Sequence, residues 1–154
     1  MSGFIANGTA APGASIQSDA FWPAVDPATM RADMRLDGSI AEPRLRVSLI
    51  AAVSMVNDEL SAWQRDKIAA GAEKLEDVAA PQIDGKSRLH HLYLRAVGCC
   101  ATAELIERYR SYDSTTDGNQ RADDLTPSID EMRRDQRWAI RDFLGVGRVT
   151  IELI

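Results

Sequence analysis

The residues able to do chemistry are few and poorly spaced for it. His90 and His91 are neighbours. In a helix their side chains diverge by about 100°, so they cannot share a metal as an i, i+4 pair does. Neither Cys100 nor Glu104 falls beside His90 by helical spacing, and the commoner outcome for such a histidine is the polar edge of a core. Cys99 and Cys100 are also adjacent and the only cysteines, so they form no disulfide framework and suit a reducing compartment. Carboxylates are plentiful in Asp123-Asp124, Asp130-Glu131 and Asp135, but Arg121, Arg133, Arg134 and Arg137 alternate with them at helical distances. That pattern forms solvated or inter-subunit salt links rather than a water-excluded acid–base pair. Gly145-Val146-Gly147 follows an apolar helical pattern instead of preceding one, the wrong polarity for a phosphate loop. No catalytic residue, metal ligand or cofactor site is expected.

Nucleic acid is a poor partner by charge. The chain of 154 residues has net charge −5 and a pI near 5.0, opposite in sign to the basic footprint that holds a protein on phosphates. Glu107-Arg108-Tyr109-Arg110 is a local basic cluster, but Glu104 and Glu107 lie within one turn of it, which favours a structural role. A mildly acidic surface still suits a wall past which DNA slides.

These residues sit in a mostly α chain. Hydrophobic residues at 45% and charged residues at 27% make an ordinary globular mixture, and the length suits one domain. No apolar run reaches the roughly 20 residues of a membrane span, and the N-terminus lacks a basic segment followed by an apolar core, so export is not expected. Residues 1–20 are rich in Gly, Ala and Ser with Asp19 as the one charge, predicting a flexible arm. Residues 21–147 should form a helical bundle. Asp26 and Pro27 start a short helix to about Leu36, and Asp37-Gly38-Ser39 breaks it. Pro43 opens a long helix whose stripe is Leu45, Leu49, Ala52, Val53, Val56, Leu60, Trp63 and Ile68, with Gly71 at its left-handed cap. Leu75 to Gly85 reads as a connector. A second long helix is predicted from Ser87 to Tyr112, with small residues at 96–103 for close approach. A third begins at Thr126-Pro127, buries Ile129, Met132, Ala139, Ile140 and Phe143, and ends at Gly145.

Two further segments invite partners. Asp113, Ser114, Thr115, Thr116, Asp117, Gly118, Asn119 and Gln120 are all turn formers and predict an exposed, mobile loop. Residues 148–154 alternate as Arg148, Val149, Thr150, Ile151, Glu152, Leu153 and Ile154, a strand pattern with no partner strand in the chain. An unpaired apolar strand recruits another sheet edge. Trp63 and Trp138 read as core or interface anchors. Trp22, beside Phe21, is either an anchor for a neighbouring copy or packed on its own bundle.

Taken in order, Phe21-Trp22-Pro23-Ala24-Val25-Asp26-Pro27, Met34-Arg35-Leu36-Asp37-Gly38-Ser39, Lys67-Ile68-Ala69-Ala70-Gly71, Ile83-Asp84-Gly85, Glu107-Arg108-Tyr109-Arg110 and Arg134-Asp135-Gln136-Arg137-Trp138-Ala139 resemble the head completion family of tailed bacteriophages. The resemblance spans residues 21–144. It implies a non-enzymatic virion protein that binds the portal after DNA packaging, stabilises the filled head and presents a platform to tail or neck proteins. It also implies copies in a twelve-fold ring at the head–tail neck, assembled in the host cytoplasm, with packaged DNA passing the channel without sequence-specific binding. On that reading residues 148–154 bind the portal. Trp22, Arg133, Arg134, Asp135, Arg137 and Trp138 face a neighbouring copy, and the 113–120 loop faces the channel or the tail side. The competing reading is a cytosolic helical adaptor or regulator that binds one protein partner through its apolar strand.

Overall fold

The computed structural model describes residues 13–110 and 128–147. The chain is mostly helical. Its elements, in order, are α1 (Pro27–Asp33), α2 (Glu42–Ala69), a single 3-10 turn (Leu75–Asp77), β1 (Gln82–Ile83), β2 (Lys86–Ser87), α3 (Arg88–Arg110) and α4 (Ile129–Phe143). The loop expected at 113–120 and the extended segment expected at 148–154 lie outside the described residues, as do Thr126 and Pro127.

Each helix begins and ends for local reasons. Asp26 caps α1, its carboxylate accepting from the Thr29 backbone N–H at 3.0 Å, and Pro27 occupies the first turn, where a missing N–H costs nothing. Pro43 does the same for α2. At the far end of α2, Gly71 has φ +101°. Its N–H donates to the Ile68 carbonyl and the Ala72 N–H to the Lys67 carbonyl, each at 3.0 Å, which closes the helix as expected from the glycine's place. Helix α4 opens on a reciprocal cap. The Ser128 hydroxyl accepts from the Glu131 N–H at 3.1 Å, while the Glu131 carboxylate accepts from the Ser128 N–H at 2.9 Å.

The connector from Leu75 to Gly85 holds more structure than expected. Leu75 is fully buried, and its N–H donates to the Phe21 carbonyl at 2.9 Å. Two short antiparallel strands then turn about Asp84 and Gly85, whose φ values of +49° and +69° are those of a tight hairpin turn matched to strand twist. The Asp-Gly pair carries that signal. Strands of two residues are too short to show alternation, which is why the segment reads as irregular in sequence.

Helix α3 is central, packing along α2 on one side and α4 on another. Every residue from Ala96 to Ala103 is buried, so the middle of α3 is enclosed all round. The third wall is α1: a Cβ built on Gly98 would lie 2.7 Å from Met30 Sδ and 2.9 Å from Met34 Sδ. Small residues on α3 thus let three helices approach at once. Where α2, α3 and α4 converge, Phe21, Trp22, Trp63, Tyr93 and Phe143 form an aromatic cluster. Trp63 and Phe143 meet at 4.7 Å between centroids, and Phe21 meets Trp22 edge to face at 5.0 Å.

The cluster corrects two expectations. Trp22 is not a surface anchor: its side chain is 2% exposed, with its ring in the core of its own chain. Nor is residue 20 the limit of a flexible arm. Ile16 is buried and exchanges backbone hydrogen bonds with Val25 at 2.7 and 2.8 Å, and Asp19 accepts from the N–H groups of Phe21 and Trp22. Gln64 on α2 donates to the same carboxylate at 2.9 Å. The apolar area that holds this stretch comes from Ile16 and the aromatics after it, which the Gly/Ala/Ser composition of residues 1–20 conceals.

Candidate functional site

The histidines and cysteines occupy structural positions. His91 Nε2 lies 2.8 Å from the Ile83 carbonyl and ties the hairpin to α3. His90 Nδ1 is 3.6 Å from Glu76 Oε1, and burial, aided by the nearby Lys86 charge, holds the imidazole below its ordinary pKa. Both cysteines are buried, and burial pushes both thiols up, so they stay protonated and weakly nucleophilic at neutral pH. Cys100 Sγ sits 3.6 Å from Sδ of Met55, a partly exposed residue of α2. No group of three His, Cys, Asp or Glu side chains able to hold a metal occurs among the described residues.

What the helices present outward is more informative. On α4, Met132, Gln136, Ala139, Ile140 and Phe143 turn inward, which sends Arg134, Arg137, Trp138 and Arg141 toward the opposite face. The charges expected at a subunit interface divide into two groups. Arg133 donates to both carboxylate oxygens of Glu107 on α3, at 3.1 and 3.3 Å, and Asp135 lies 3.5 Å from Arg95 of α3. These two join α4 to its own chain. Arg134 lies over the half-buried Trp138 ring at 4.7 Å and donates to Asp135 at 3.1 Å. Arg137 is exposed and makes no ion pair with another described residue. Beyond them, Leu144 and Val146 are exposed apolar residues, and Arg141 donates from Nε to the Gly147 carbonyl at 3.1 Å, fixing how the chain leaves the helix.

Helix α2 has a second apolar face that the sequence reading missed. Leu45, Leu49, Ala52, Val53, Val56 and Leu60 face the core, while Val47 and Ile50, on the other side, are 57% and 49% exposed. Ser54 lies in line with them, and Asp58 follows one turn on. The signal lay in the spacing: Val47 and Ile50 are an i, i+3 pair out of phase with the Leu45–Leu49 stripe. A helix apolar on both faces has one face to cover. No helix among the described residues is long and apolar enough to cross a membrane.

The described residues thus form a capped helical core that carries outward apolar and basic helix faces. The chain belongs to the phage head completion protein family (GPL), whose model matches residues 16–154. It is similar to the head completion/stabilization protein of Escherichia phage P2, with 40% identity over 139 residues that cover 90% of this chain and 82% of that protein. No solved structure gives a significant match. The family is a structural one, described by its place in completing the phage head.

Proposed function

We propose that the protein closes the filled phage head by binding the portal ring after packaging, stabilises the DNA-filled capsid, and gives the tail or neck proteins a surface to join. The observation that carries this reading is the extent of the family match, which runs from Ile16 to the last residue, Ile154, and so takes in both the helical core and the alternating C-terminal segment. Copies of the chain form a ring around the portal axis, twelve in number if they match the portal, and contribute structure rather than catalysis. A repeated contact between two different faces closes into a ring when its rotation is right.

Portal attachment is assigned to Arg148–Ile154, with Val149, Ile151 and Leu153 entering apolar grooves while the backbone extends a portal sheet. The cap at Gly145 and the hold of Arg141 on Gly147 support this by fixing the path of the chain just before that segment. The polar 113–120 loop is assigned to the channel or the tail-side partner, where DNA passes without sequence-specific contacts. The test is deletion of residues 148–154 followed by co-sedimentation with portal rings. Loss of portal binding with an unchanged helical spectrum is expected, and undiminished binding refutes the assignment. Replacing 113–120 by a short Gly-Ser linker should lower DNA retention or tail joining while portal binding persists.

A further inference from the structure

The two outward faces already described have complementary order. Along α4, Arg134 and Arg137 are followed by exposed Leu144, which is 37% exposed and in phase with Arg137 seven positions earlier. Along α2, exposed Val47 and Ile50 are followed by Asp58, eight positions after Ile50. At a rise of about 1.5 Å per residue the two apolar-to-charged separations are both about 10–12 Å, in opposite senses along the chain. An antiparallel approach therefore sets Leu144 against Val47 and Ile50 at the moment it sets Arg137 and Arg134 against Asp58.

One charge on each side, Asp58 on α2 and Arg137 on α4, has no partner among the described residues, while Arg134 is held by Asp135. Asp58 forms no ion pair or hydrogen bond with another described residue. Arg137 is likewise unpaired among the described residues. Within one chain the faces cannot meet, because α2 and α4 turn their inner faces to the shared core around α3. A contact of α2 with the α2 of another copy, antiparallel about Ser54, fails on charge, since it lays Asp58 on Ile50 and desolvates a carboxylate without a cation.

We infer that copies of this chain associate head to tail, the outer face of α4 in one copy (Arg134, Arg137, Leu144) lying antiparallel on the outer face of α2 in the next (Val47, Ile50, Asp58). The inference rests on the assembly role proposed above, and names both halves of its repeating contact. Each copy uses two different faces, so a pair still offers one free face of each kind and growth continues until the rotation closes it. Val47, Ile50 and Leu144 supply the dry centre and the charged pairs fix the register.

Sedimentation equilibrium of the full chain, without portal, tests this from micromolar concentration up to about 1 mM, where even a weak contact is half formed. Average mass should climb past the dimer with concentration. A Val47→Asp/Ile50→Asp variant should remain monomeric at an unchanged melting temperature. Asp58→Arg and Arg137→Asp, each alone, should move half-association about tenfold or more to higher concentration. Mixing those two variants should restore association, because each then finds its opposite charge on the other. The inference is overturned by a wild-type mass that stays monomeric throughout, by normal association of the Val47→Asp/Ile50→Asp variant, or by a mixture that behaves as its separate components. Any of these with intact portal co-sedimentation would leave the head-closing role standing and remove only this contact.

Discussion

Trp22 and Tyr93 stack face to face, with ring centroids 4.8 Å apart and planes 6° from parallel. They join the segment before α1 to the second turn of α3, and the Tyr93 hydroxyl donates to Asn57 Oδ1 on α2 at 2.8 Å. Three parts of the chain thus depend on one pair of rings. Trp22→Ala should lower unfolding free energy by about 3–5 kcal/mol, the range for emptying a buried large aromatic site. Tyr93→Phe keeps the stack but strips Asn57 of its donor, and should cost about 1 kcal/mol. Urea unfolding followed by circular dichroism measures both. A Trp22→Ala loss below about 1 kcal/mol would mean that the ring does not hold the core together.

Gly98 separates the effect of helix preference from that of packing. Alanine favours a helix interior by about 1 kcal/mol over glycine, but its methyl must displace the sulfur ends of Met30 and Met34, which are flexible. Gly98→Ala should therefore fall within about 1 kcal/mol of the parent. Gly98→Leu has no such room and should cost about 2–3 kcal/mol by pushing α1 off α3. Equal melting temperatures for the leucine variant and the parent would contradict the three-helix contact at this position.

At Gly71 the backbone alone is at stake, because a Cβ there meets nothing within 4 Å while φ is +101°. Gly71→Ala should cost about 1–2 kcal/mol, with no change in the contacts of any side chain. Thermal unfolding measures it. A neutral alanine would show that α2 ends in some other way.

His90 should give stability a slope on the acid side. Its pKa in the folded chain lies below the unfolded value, by burial first and then by Lys86, so the unfolded chain binds the proton more readily. Above the unfolded pKa, about 6.5, neither state is protonated and the effect vanishes. As pH falls through that value stability declines, and the decline ends below the folded pKa. Glu76, 3.6 Å away, works against the shift and limits its size. Melting temperatures between about pH 7.5 and 5 should fall more for the parent than for His90→Gln. Parallel profiles would exclude His90 as the source.

The parts of the fold that follow from neighbouring residues could be read from the sequence. The Asp26-Pro27 start, the Gly71 end, the α2 stripe from Leu45 to Trp63 and the small residues of α3 each act within a turn or two of chain, whereas Ile68, expected on that stripe, is 49% exposed. What could not be read depends on contacts between distant segments. The burial of Trp22 requires Tyr93, 71 positions later, and the docking of Ile16 requires the bend that brings Val25 back to it. Among the candidate site residues, helical spacing placed Arg134, Arg137 and Trp138 together. Only tertiary packing shows that Arg133 and Asp135 are engaged by α3. Val47 and Ile50 went unnoticed for a related reason: apolar residues on two sides of one helix blur its periodicity, and a partner face has no register of its own to reveal it.

The antiparallel bridge between Ile16 and Val25 marks where the chain can be shortened. Trimming that stops at Gly13 leaves both backbone hydrogen bonds and the Asp19 turn in place. Trimming that reaches Gln17 removes the strip of backbone lying over Val25 and opens a route for water toward the indole behind it. A fusion partner or affinity label is therefore best joined ahead of Gly13.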